Sequence, residues 1–491
     1  MTGHPPLVSH LSATPVSSSR RFKPSNYRKP NTPAPANGEI GSTSSSLGIF
    51  PRFLGSPRCP SNHGALSRLR PRFPPSSATN PSLPHCLSRI ASLQRLLHHG
   101  IPTYVTTAAA ATTALRSPAS RAKPALVAIA NPQRLTEKLR TPITDLFKIK
   151  HPVLLAGMNV AAGPKLAAAV SNAGGLGVIG GVGYTPEMLR DQIAELKEHL
   201  VDKKAPFGVD LLLPQVGGSA RKTNYDYTKG KLNELVDIII EEGASLFVSA
   251  VGVPTKAVVD KLHAHGIVYM NMIGHVKHLK KCLELGVDII CAQGGEGGGH
   301  TGDIPTTVLI PAVVEICQKY KSPLTGEPVQ VIAAGGIHNG QLLAASLMMG
   351  AGAVWVGTRF ILTDEAGAPK AHKEAVQTAG HDDNVRTIIF TGRPMRVRNN
   401  EYINNWEVNR QAEMKELTAK GTIPYEADLD KIMEESSDSD DDDALDKFRP
   451  FLMGKCAAVV NEQKSAKAVV DEFVDDAVTW LQTGNKMIAK L

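Results

Sequence analysis

Eight times between residues 150 and 378, a short apolar run is followed by a segment of helical periodicity. That alternation constrains the fold more than any other feature of the chain. The runs are H-P-V-L-L-A-G-M (151–158), G-L-G-V-I-G-G (175–181), P-F-G-V-D-L-L-L (206–213), S-L-F-V-S-A-V-G (245–252), I-V-Y-M-N-M-I (267–273), V-D-I-I-C-A-Q (287–293), V-Q-V-I-A-A-G-G (329–336) and A-V-W-V-G-T-R-F (353–360). Each is strand length, apolar and bounded by Gly, Pro or Asn, the pattern of a buried strand. Helical segments follow at 164–174, 185–197, 229–242, 254–264, 275–286, 306–320, 340–350 and 369–378. Thr185 before Pro186 shows how one of them starts, with a capping hydroxyl and then a proline at the first helical position. Eight βα units in about 230 residues predict an α/β chain folded as a closed (β/α)8 TIM barrel. An open doubly wound sheet is the alternative. It normally carries its nucleotide loop after the first strand. Here the glycine-rich turns follow strands six, seven and eight, which favours the barrel.

The alternation places the barrel at 138–385 and leaves a C-terminal region, 386–491. Within that region T-G-R-P-M-R-V-R-N (391–399) is extended and basic, and 466–481 is an amphipathic helix. Together with 404–420 this helix is expected to cap the barrel or lie beside it. The acidic run E-E-S-S-D-S-D-D-D-D (434–443) reads as a solvated loop. The first 135 residues read as an extension outside the barrel: a disordered arm, a targeting segment, or the product of a wrongly chosen start codon.

Charge separates arm from body. The formal net charge is +8, but residues 1–124 hold 15 Lys/Arg and one acid, Glu39. The other 367 residues hold 39 basic and 45 acidic side chains. The body therefore lacks the basic face of a nucleic-acid reader. No apolar run is long enough to span a bilayer. The six cysteines are scattered, with no C-x-x-C pair, which argues for a reducing compartment and against a bound metal such as zinc. The expected location is intracellular: the cytoplasm, or the mitochondrion where the basic arm is a presequence. A homo-oligomer is compatible with all of this.

Barrel chemistry collects at the C-terminal ends of the strands. Gly335 and Gly336 end strand seven, and Gly357 and Thr358 lie in strand eight's end. Adjacent glycine turns with free backbone N–H groups suit a dianionic phosphate, and barrels often build that site from these two loops. Strand six runs into Q-G-G-E-G-G-G-H-T-G-D (293–303). Gln293 offers an amide to a heterocycle edge. The glycines allow close approach to a flat ring. His300 stands at the rim, an imidazole suited to proton transfer and the candidate catalytic residue.

These residues carry a resemblance. G-G-E-G-G-G-H-T-G (294–302), together with H-P-V-L-L-A-G-M, S-N-A-G-G-L-G (171–177), A-A-G-G-I (333–337), G-T-R-F (357–360) and T-G-R-P (391–394), resembles the nitronate monooxygenase family, once called 2-nitropropane dioxygenases, over residues 138–481. The resemblance implies FMN as cofactor. It implies that Gly157, Met158 and Asn159 lie along the flavin ring, that Gln293 bonds its isoalloxazine or ribityl part, and that Gly298 lies against it. Gly336, Gly357 and Thr358 would hold the phosphate, and His300 would act as base or orient the nitro group. There are departures. Gly297 stands where the family has Ala, Gly157 where many members have Pro, and Asp210 where many have Asn. A carboxylate at 210 would disfavour the anionic reduced flavin.

The implied activity is oxidation of alkyl nitronates, such as propionate 3-nitronate, with O2 to carbonyl compounds and nitrite, a detoxification that needs no nucleic acid or membrane partner. The alternatives are an FMN-dependent enoyl-thioester reductase or another NAD(P)H-dependent flavin reductase on the same barrel. An IMP-dehydrogenase-like reaction needs a nucleophilic cysteine on the strand-six loop, whereas Cys291 lies inside the strand. A binding module that retains the fold is a reading from a different class. The intact His300 and both phosphate loops argue against it.

Overall fold

The structure, a computed structural model, describes residues 139–435 and 448–489. The expectations for the N-terminal arm and for 436–443 of the acidic run lie outside the described residues.

Strands β1 (Val153–Leu155), β2 (Gly177–Gly181), β3 (Phe207–Leu212), β4 (Leu246–Ala250), β5 (Val268–Ile273) and β6 (Ile289–Gln293) are followed by a two-residue strand β7 (Gly299–His300), then β8 (Gln330–Ala334) and β9 (Ala353–Val356). All but β7 pair in parallel in the order β1-β9-β8-β6-β5-β4-β3-β2. A parallel bridge from Leu154 to Leu176 joins the two ends of that sheet. Leu155 N–H donates to Leu176 O at 3.0 Å, and Leu176 N–H donates to Val153 O at 3.0 Å. The eight strands thus close into the barrel that the alternation predicts.

Alternation along each strand makes two cores. Leu154, Val178, Val248, Met270, Cys291, Ile332 and Trp355 fill the barrel interior. Val153, Ile179, Val209, Phe247, Tyr269, Ile290, Val331 and Val354 face the helices. The helix Pro142–Phe147 starts on a capping box in which Thr141 and Thr144 each accept from the other's backbone N–H. It contributes Ile143 and Phe147 to the interior core. Ile143 packs beside Gly352, just before β9, so this helix plugs the N-terminal end of the barrel.

The outer ring departs from the sequence reading at its eighth position. After β9 comes only a four-residue helix, Thr358–Ile361. The place of an eighth outer helix is taken by Ala466–Lys486. Its Val469, Val470, Phe473 and Ala477 share the outer core with Leu343, Ala344 and Val356. Gly340 permits the approach: a Cβ there would meet Phe473 O and Ala477 N at 2.4–2.6 Å. Each large side chain so buried contributes roughly 1.5–3 kcal/mol. The helix Lys370–Gln377, expected as the eighth, instead joins a small cluster with Met453 and Val460. The chain therefore inserts 363–465 between the eighth strand and the eighth helix.

That insertion carries β10 (Asn384–Thr387) and β11 (Met395–Arg398), which form an antiparallel sheet with β7 in the order β10-β11-β7. Its own core surrounds fully buried Trp406. Trp406 Nε1 donates to Asp428 at 3.0 Å, and the Arg410 guanidinium lies 3.4 Å from the indole centroid while also pairing with Asp428. Among the described residues no helix is long and apolar enough to cross a membrane.

Candidate active site

The glycine loop after β6 is where barrel and insertion meet. Its Gly299 and His300 pair with Arg396 and Met395 of β11. Two arginines of the insertion's sheet hold the loop's carbonyls. Arg396 donates Nε and Nη2 to Gly295 O at 3.2 and 2.9 Å, and Arg386 Nη1 donates to Gly302 O at 2.6 Å. Arg396, in the basic stretch 391–399, is thus engaged by the protein's own backbone.

The glycines also have a reason other than the flat ring expected from sequence. A Cβ at Gly298 would lie 2.6 Å from Met453 C and 2.7 Å from Gly454 N. One at Gly297 would lie 2.6 Å from Gln293 Nε2. The loop is stripped of side chains so that the segment 452–455 can lie on it, where Lys455 N–H donates to Glu296 O at 2.9 Å. Glu296 caps the helix Thr306–Cys317 through Thr306 N–H and Oγ1, at 3.0 and 2.8 Å. A carboxylate at a helix N-terminus meets the positive end of the helix dipole.

His300 is half-buried. Its Nε2 shares a 3.0 Å hydrogen bond with Thr391 Oγ1, and its backbone O accepts from Gln293 Nε2 at 2.9 Å. Burial, and then the positive charge of Arg393, lower its pKa to about 4. The imidazole is therefore neutral at pH 7. Gln293, expected to face a heterocycle, uses its amide nitrogen to hold His300.

Arg393 was not singled out in the sequence, although T-G-R-P was. It is half-buried, and its Nε donates to Asn224 Oδ1 at 3.0 Å. Burial, then the charge of Arg221, push its pKa down. Arg221 approaches by donating to Gly392 O at 3.1 Å. Among the described residues no carboxylate forms an ion pair with Arg393. A half-buried cation without a counter-ion, next to a neutral imidazole, suits an anionic ligand.

The remaining expected residues fall into two groups around this centre. Gly157 and Met158 follow β1, and a Cβ at Gly357 would touch Met158 Sδ at 3.4 Å. Asn159 is exposed with φ 29°, a conformation that Asn tolerates better than most residues. Gly335 (φ 98°) and Gly336 (φ 76°) form two consecutive left-handed turns after β8. A Cβ at Gly335 would meet Gly294 N and O at 2.8 Å, so strands six and eight can converge only with glycine there. Thr358 is buried and its Oγ1 accepts from Gly454 N–H at 2.9 Å. That hydroxyl is engaged by the protein. Among the described residues no protein acceptor takes the N–H of Gly336 or Gly357. Consecutive glycine turns with unused amides fit a phosphate-bearing cofactor. The Gly157–Met158 segment beside them is half-buried.

The family model for nitronate monooxygenase matches residues 140–476. A CoA dehydrogenase of Mycobacterium tuberculosis, acting on a hydroxy-methyl-oxo-octahydroindene-carboxyl-CoA by its name, is 31% identical over 72% of this chain and 99% of its own. A probable nitronate monooxygenase of Staphylococcus saprophyticus is 32% identical over 54% of this chain and 80% of its own. Among solved structures, FabK from Thermotoga maritima aligns with a TM-score of 0.55 and 28% identity, over 71% of this chain and 100% of that one. A nitroalkane oxidase from Streptomyces ansochromogenes shares the fold, with a TM-score of 0.56 at 24% identity over 70% of this chain and 99% of that one. The motifs at 294–302, 333–337 and 391–394, the closed barrel and the matched span together place the chain in the nitronate monooxygenase family, a family of flavin enzymes.

Proposed function

We propose that this protein binds FMN and oxidises alkyl nitronates, with propionate 3-nitronate as a representative substrate, using O2 and releasing a carbonyl compound and nitrite. The observation that carries this reading is half-buried Arg393, which among the described residues pairs with no carboxylate and whose charge reaches His300. A nitronate is already an anion. It needs a cation to draw it in and a neutral hydrogen-bonding group to orient it, more than a strong base.

The flavin supplies the electron relay between substrate and O2. The chain supplies the rest. Gly335, Gly336, Gly357 and the Thr358 backbone would hold the FMN phosphate. Gly157, Met158 and Asn159 would line its ring, with Gly298 and Gln293 on the opposite strand ends. Arg393 would bind the anionic oxygens of the substrate, and His300, aligned by Thr391 and Gln293, would hydrogen-bond to the nitro group. With a pKa lowered to about 4, His300 is a weak base and removes a proton from a neutral nitroalkane slowly.

The relative named as a CoA dehydrogenase, matched over 99% of its length, favours a second reading. There the same cation would receive a CoA thioester, in a flavin reaction that exchanges hydride with NAD(P)H. The purified protein, with its flavin identified by chromatography, is to be incubated aerobically with propionate 3-nitronate. Stoichiometric nitrite and aldehyde support the proposal. Absence of nitrite, with turnover of a CoA thioester and NADPH, supports the second reading.

A further inference from the structure

Asp210 lies on β3 between Val209 and Leu211, which face the outer helices. Its own side chain turns to the barrel interior, where it is 3% exposed. Oδ1 is buried with no hydrogen-bond partner. The carboxyl is wedged against the β1 loop: a Cβ at Gly157 would overlap Oδ2 and lie 2.7 Å from Asp210 Cβ. Gly180 presses on the same point, since a Cβ there would lie 2.5 Å from Gly157 Cα. Residues 157, 180 and 210 therefore form one packed unit, and an acid at 210 demands glycine at 157.

The groups that face this carboxyl make its ionisation harder. Tyr184, after β2, donates to Gly180 O at 3.2 Å, and its phenol is raised by burial and then by Asp210. Cys291, on β6, is raised by burial and then by Asp210. Both are acids. Among the described residues no Lys, Arg or His pairs with Asp210. Burial alone pushes its pKa up to about 8. An unpaired carboxylate in such a place costs several kcal/mol, and neutralisation removes that cost.

We propose that Asp210 is a neutral acid in the working enzyme and donates a hydrogen bond from its carboxyl O–H to the ring of the flavin seated beside Gly157. This rests on the flavin reading above. It reverses the expectation drawn from the residue type alone. A carboxylate would repel the negative charge that gathers on a reduced flavin, whereas a neutral O–H donor stabilises it. Asp210 is then a positioning and tuning residue.

The test uses the full chain with carboxyl-labelled aspartate, flavin-free and flavin-loaded, followed by infrared difference spectroscopy against Asp210→Asn. The expected result is a protonated-carboxyl stretch at pH 7 that Asp210→Asn lacks, that disappears as pH rises through about 8, and that shifts to lower frequency on flavin binding. Asp210→Ser serves as the reference if the Asn variant does not fold. As an independent readout, wild-type affinity for flavin should weaken as pH rises through about 8, and the Asn variant should show no such step. A flavin-loaded protein whose band is missing at pH 7 or unmoved by flavin overturns this proposal alone. A folded protein that takes up no flavin overturns both this proposal and the functional reading.

Discussion

Burial, and then the charge of Arg393, set the state of His300. The guanidinium lowers the imidazole's proton affinity, and the neutral imidazole leaves the guanidinium's charge available for a ligand. Arg393→Ala should raise KM for propionate 3-nitronate tenfold or more, since a charge-assisted hydrogen bond is worth roughly 1.5–3 kcal/mol. Arg393→Lys should recover only part of it, because a point charge cannot replace the planar fork. Steady-state kinetics decide this, and an unchanged KM in Arg393→Ala would remove Arg393 from the site. For His300, kcat/KM on preformed nitronate should stay flat as pH falls from 7 through 6, with a break only near 4. A break near 6.5 would mean an imidazole of ordinary basicity. His300 was legible in the sequence because glycines isolate it. Arg393 was not. Its role depends on Asn224 and Arg221 arriving from the loop after β3, 169 and 172 positions away in the chain.

The glycine loop shows what sequence reveals about an element and what it withholds. Its position after the sixth strand and its need for close approach were both legible in Q-G-G-E-G-G-G-H-T-G-D. What approaches it was not, because Met453 and Gly454 lie some 150 residues on, inside an insertion with no barrel periodicity. Gly298→Ala should accordingly push the 452–455 segment off the loop. The expected cost is roughly 1–3 kcal/mol of stability, the range for overpacking a rigid contact. Hydrogen exchange should localise the change to β7, β11 and residues 452–455. A variant as stable as wild type, with unchanged exchange there, would show that the contact yields without cost. Arg396 is the second clamp. Arg396→Gln should loosen the same loop and lower activity on every substrate alike, whereas Arg393 variants should discriminate by substrate charge.

The barrel as a whole was legible because eight buried strands leave eight apolar runs. The identity of its eighth helix was not, because periodicity cannot say which of two amphipathic segments returns to the ring. Phe473→Ala tests that placement. It should cost about 3–5 kcal/mol, as for a large aromatic removed from a core, and lower the denaturant midpoint of the whole barrel in one transition. Loss of the helix alone, with the barrel still folded, would return it to an accessory role. The pH profile of stability is also a property of the whole molecule. His300 has a folded pKa near 4 against its ordinary 6.5, so its contribution is present above 6.5 and lost as pH falls towards 4. Asp210 has a folded value of about 8 against 3.8, so its contribution is present below 3.8 and lost as pH rises towards 8. Asp210→Asn should therefore remove the descending limb and move maximal Tm to higher pH. An unchanged profile would mean that Asp210 ionises normally.

The proposed activity requires that this barrel take electrons from a nitronate rather than from a nicotinamide. The most direct measurement is anaerobic stopped-flow mixing of the flavin-loaded protein with propionate 3-nitronate and, separately, with NADPH, monitoring flavin absorbance. Rapid bleaching or a one-electron spectrum is expected with the nitronate, and a much slower response to NADPH. Rapid, complete reduction by NADPH with no response to the nitronate would contradict it.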